Sequence, residues 1–141
     1  MGVKWLSRAV AYTGPALCLC TTQEIFDEAC QAFDLPGGRF IDDESDGGTM
    51  HWYDGHSGPI AVVCIRPREK RDELIAFGMI VHEAAHVWQY HAEYIGEKVP
   101  GKEQEAYAIQ AISQTLMIEY RRQWRAARRK ATSHALYGDV T

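Results

Sequence analysis

The apolar positions of this chain change period several times, and each change marks an element. Residues 16–21 form a short apolar run behind a Gly14-Pro15 turn and read as a strand. Ile25, Phe26, Ala29, Cys30 and Phe33 then recur at helical spacing, and Thr22 is placed to cap them, so a helix is expected over 23–33. Pro36-Gly37-Gly38 ends it. A short strand is expected at 39–41, and two more at 49–53 and 59–65 with a turn of Asp54, Gly55, His56, Ser57 and Gly58 between them. The last of these is apolar almost throughout from Ile60 to Ile65, the pattern of a largely buried strand. Asp72 can cap a helix that runs through Leu74, Phe77, Val81, Ala85 and Trp88 to about Tyr94. Gly96, Pro100 and Gly101 interrupt the pattern before a final helix from near Glu103 to about Arg129. Residues 1–13 carry only a weak signal. This order predicts an α+β fold: a small antiparallel or mixed sheet, with a motif-bearing helix and a second long helix packed on one face.

Length and composition narrow the picture without choosing a function. The 141 residues suit one domain spanning 1–141, and 46% hydrophobic with 24% charged residues is ordinary for a globular protein. No apolar run is long enough to cross a bilayer, and the first residues lack the apolar core of a secretory signal. Leu6 stands where a myristoylation signal needs Ser or Thr. A cytoplasmic protein without a membrane partner is therefore expected. Cys18, Cys20, Cys30 and Cys64 form no C-x-x-C pair and read as small buried hydrophobes. Cys18 and Cys20 belong to one face of their strand. The acidic stretch 42–48 lacks the Glu that a calcium loop needs at its twelfth position, which is Tyr53, so it reads as an exposed loop.

The candidate chemistry lies at His82-Glu83-Ala84-Ala85-His86. On a helix, residues four apart sit one above the other, so both imidazoles can share one ion. The pattern H-E-x-x-H is that of zinc hydrolases, with His82 and His86 as ligands and Glu83 as general base. Chance supplies it in about two of a hundred shuffles of this composition, so it needs structural context. Zinc in such sites commonly takes a third protein ligand. The extended pattern with a third His fails, because position 92 is Ala92, and His91 and Glu93 follow too closely to turn back. On the next helix Glu105 shares a face with Ala108, Ile109, Ile112 and Leu116. A carboxylate there needs an Arg or backbone partner at the core edge, or a metal.

Eighteen residues separate His86 from Glu105, and H-E-x-x-H-x18-E resembles the gluzincin metallopeptidases. Gln104-Glu105-Ala106-Tyr107-Ala108 is similar to that family's third-ligand segment. The resemblance covers residues 59 to about 116 and is nearest to the small gluzincins of bacteria and phages. It implies zinc held by His82, His86 and Glu105, and a strand at the sheet edge bordering the cleft, a place that 59–65 would take. Ile109 departs from the family's Asp that orients a ligand His, so that support must come from elsewhere. The glycine-rich segment that recognises a free amino terminus is absent, which points to an endopeptidase. Tyr90, Tyr94 and Tyr107 are candidates to stabilise an oxyanion.

Charge supplies a competing reading. Net charge is −4, yet residues 121–130 carry six cations and no acid. Arg121, Arg122, Arg125, Arg128, Arg129 and Lys130, with Trp124 among them, could contact nucleic acid, although a solvated helix end accounts for them more simply. The expectation is thus a zinc-dependent peptide-bond hydrolase acting on a peptide or protein. The alternatives are a non-catalytic zinc-binding module, a nucleic-acid-associated protein, and ordinary half-buried histidines.

Overall fold

The computed structural model describes residues 5–6, 14–43, 47–67 and 73–138. Its elements are β1 (Trp5–Leu6), β2 (Ala16–Cys20), α1 (Gln23–Ala32), β3 (Gly48–Gly55), β4 (Gly58–Ile65), α2 (Glu73–Tyr94) and α3 (Lys102–Tyr137). The strands form one mixed sheet in the order β1-β2-β4-β3. β2 and β4 run parallel, while β1 with β2 and β3 with β4 run antiparallel. The α+β architecture expected from the sequence is the one observed.

Strand alternation builds two cores from one sheet. Leu17, Leu19, Ala61, Val63 and Ile65 face Ile80, Ala84, Val87 and Trp88 of α2 and Ile112 and Leu116 of α3. Cys18, Cys20, Val62 and Cys64 face the other way, against Phe26, Ala29 and Cys30 of α1. The helices therefore do not share one face: α1 covers the side opposite α2 and α3. This is why β2 and β4 are buried along almost their whole length. All four cysteines are free and buried in the α1 core, as small hydrophobes there. The Thr22 hydroxyl accepts from the backbone N–H of Ile25, the cap expected for α1.

Polar anchors fix α3 across the sheet. The Gln123 side chain, 1% exposed, accepts from the backbone N–H and hydroxyl of Thr21 and donates to the Leu19 carbonyl and to Glu119. Glu119 is buried and paired with Arg122. Arg121 pairs with Glu73 in the first turn of α2 at 2.7 Å, and its guanidinium lies over Phe77. Two cations of the basic run are thus tied to the fold. α3 continues to Tyr137, two turns beyond the expected end near Arg129.

Three expectations need correction. No strand forms at 39–41. The Phe40 N–H donates to Gln23 Oε1 and its carbonyl accepts from His51 Nε2, so side chains satisfy the groups a strand neighbour would have bonded. The strand 59–65 is central, and β3 forms the edge beside α2. The buried stripe of α2 runs through Ala76, Ile80, Ala84, Val87, Trp88 and His91, whereas Leu74 is 72% exposed and Val81 41%. Residues 74–81 are apolar on nearly every side, so periodicity there does not select a face. The proposed cap Asp72, and Glu44 to Asp46 of the acidic loop, lie outside the described residues. No described helix is long and apolar enough to cross a membrane.

Candidate metal centre

The 22-residue helix α2 sets the geometry of the site. Its buried stripe presses on the sheet, which turns His82 and His86 outward, with His82 exposed and His86 half-buried. Their Nε2 atoms converge to 3.2 Å, and the rings meet edge to face at 4.8 Å between centroids. Two nitrogens bound tetrahedrally at zinc's usual bond length lie about 3.3–3.4 Å apart. The pair therefore has the separation that one zinc ion requires. The Nδ1 of His86 is 2.9 Å from Gln89 Oε1, one turn further along the helix.

Glu83 lies a quarter-turn round the helix, on the side of β3, and is 7% exposed. A cleft of about 430 Å³ opens beside it, lined by Gly47, Gly48, Ile75, Gly78, Met79, His82 and Glu83. Glycine at 48 lets β3 close against β4 at this end of the cleft, with the Glu83 side chain in ordinary contact beside it. A Cβ there would stand 2.9 Å from Ile65 Cδ1, 3.2 Å from the Cys64 carbonyl and 3.8 Å from Glu83 Cγ. Gly78 adds room on the helix side, where no atom lies within 4 Å of a would-be Cβ. Further along β3, Trp52 packs on Tyr90 and Tyr94 with ring centroids at 5.5 and 6.5 Å. Tyr107 on α3 is 66% exposed.

Glu105 enters from α3. Its Oε2 accepts from Trp88 Nε1 at 2.9 Å, two residues past His86. This contact satisfies the polar end of a Trp that is otherwise buried in the core. Gln89 and Glu105 also line a second hollow of about 430 Å³, with Trp88, Ala92 and Glu93. Among the described residues, no three His, Cys, Asp or Glu side chains gather closely enough to hold a metal. The structure brings His82 and His86 together and places His82 and Glu83 on the wall of the cleft; it holds the Glu105 carboxylate on Trp88 and does not gather it with the two histidines.

His91 is fully buried against Trp88, and among the described residues neither ring nitrogen has a hydrogen-bond partner. Burial pulls its pKa below the ordinary histidine value. It takes no part in the outward pair.

Gln89 and Trp88 were not singled out from the sequence as site residues. For Gln89 a signal existed: it stands three positions after a candidate ligand, on the same helix face. The Trp88–Glu105 contact joins two elements and left no local trace. Compared with protein-family models, with curated proteins and with solved structures, the chain matches none significantly.

Proposed function

We propose that this chain is a zinc-dependent peptide-bond hydrolase, with His82 and His86 as ligands, Glu105 as the third, and Glu83 as general base. One observation carries the reading: the two Nε2 atoms converge at a zinc-compatible 3.2 Å, and Glu83 beside them lines a cleft with Gly47 and Gly48 at the start of β3. Bound zinc would supply Lewis acidity toward a carbonyl and lower the pKa of a water. The residues do the rest. Glu83 takes the proton of the attacking water and passes it to the leaving amine. The residue is 7% exposed and so is largely shielded from bulk water. Among the described residues no strand pairs with the outer side of β3, and an extended peptide can add there as a further strand. Glu105 must leave Trp88 or share its carboxylate to complete the ligand set, because Oε2 is engaged with the indole.

The test separates chemistry from metal binding. Glu83→Gln is expected to keep zinc and lose roughly 10²–10⁴-fold in peptide hydrolysis, the usual contribution of a positioned base. Wild-type protein that holds zinc and cleaves no member of a broad peptide library would favour a binding module. Unchanged turnover in Glu83→Gln would remove Glu83 from the mechanism.

A further inference from the structure

We propose that Gln89 is the positioning residue of the dihistidine centre: it fixes His86 in the tautomer whose Nε2 lone pair faces His82. The inference rests on reading His82 and His86 as metal ligands. A neutral imidazole carries one N–H, and a metal takes the nitrogen that lacks it. His86 can offer Nε2 only if its proton sits on Nδ1. Gln89 Oε1 lies 2.9 Å from Nδ1 and is an acceptor, so it selects that proton position. The same contact restrains the ring about its bonds and holds Nε2 at 3.2 Å from its partner nitrogen.

The placement makes the device local. Gln89 is three residues from His86 on one helix, so the pair forms wherever α2 is intact. On the following helix, Ile109 has no side-chain acceptor to offer. Metal-ligating histidines generally give their second N–H to an acceptor, and losing it typically weakens metal affinity 10–100-fold. An amide does this without adding negative charge to a site that already contains Glu83. Gln89→Glu should therefore hold the same tautomer.

Two readouts on the full chain test the proposal. In metal-free protein labelled at histidine nitrogens, near pH 8, long-range proton–nitrogen spectra are expected to show His86 protonated at Nδ1. The Gln89→Leu variant should move the proton toward Nε2. Gln89 is exposed, so the variant is expected to fold, and Gln89→Met supplies a second apolar replacement of similar length. Competition with a chromophoric chelator should show zinc binding weakened 10–100-fold in both apolar variants and restored in Gln89→Glu. An Nε2-protonated His86 in the wild type overturns the proposal, as does Gln89→Leu with unchanged tautomer and zinc affinity. A wild type that binds no zinc overturns the ligand reading instead, and the tautomer spectra still decide what Gln89 does.

Discussion

His86 and His91 stand five residues apart on one helix and meet opposite surroundings. His86 faces outward, with one ring nitrogen on Gln89 and the other on His82. His91 faces inward, fully buried against Trp88, and among the described residues neither of its ring nitrogens has a hydrogen-bond partner. About 3.6 residues make a turn, so five residues carry a side chain from one face of α2 to another. What distinguishes a ligand-like histidine here is therefore its phase on the helix and the company that phase provides. Residue type alone says nothing.

The largest expected effect sharpens this contrast. His82→Leu should weaken zinc binding by more than about 100-fold, beyond the range of a supporting-residue change. His91→Leu should leave zinc affinity as it is. Chelator competition on both variants measures the difference, and equal losses would erase the distinction between the two faces.

How far this was legible in the sequence follows from the range of the forces involved. The pairing of His82 with His86 is a matter of four residues on a helix, and Thr22 capping α1 is a matter of three, so both could be read locally. The continuous apolar run at 60–65 announced a buried strand. It did not announce a central one, because strand order depends on where β2 and β3 dock. The inward phase of α2 was hidden by an apolar stretch that gives no preferred face, and with it the fate of His91. Glu105 was expected to need a partner, but the partner shown, the Trp88 indole, lies on another helix. Gln123, with its bonds to Thr21 and Leu19 about a hundred positions away, carried no local sign at all.

The inward face makes its own prediction, smaller in size. Two unpaired nitrogens in a core each forgo their bonds to water, so His91→Leu is expected to raise stability by about 1 kcal/mol. The urea midpoint measures it, and a destabilised variant would mean that the imidazole packs better than an aliphatic side chain. The same group sets a pH dependence. Burial lowers the folded-state pKa of His91, so below about 6.5 the unfolded chain takes a proton that the native state refuses. That contribution to stability is fully present above pH 6.5 and is lost as the pH falls below it. The slope of stability against pH in this window should flatten in His91→Leu.

The smallest effect concerns the cleft. Gly78 has open space where a Cβ would stand, so Gly78→Ala should stabilise α2 by roughly 0.5–1 kcal/mol. The added methyl intrudes on the hollow that Gly78 shares with His82 and Glu83. A stabler protein with a raised KM for peptides is the expected result, and an unchanged KM would place the substrate elsewhere.

Whether the outward histidines hold a metal decides what the site can do. The most direct measurement is the zinc content of purified protein after zinc is offered, for wild type and Glu105→Ala together. About one zinc per chain in the wild type, lost in the variant, is the predicted result. Wild-type protein that stays metal-free would contradict it, leaving His82 and His86 as two histidines hydrogen-bonded to each other on one helix face.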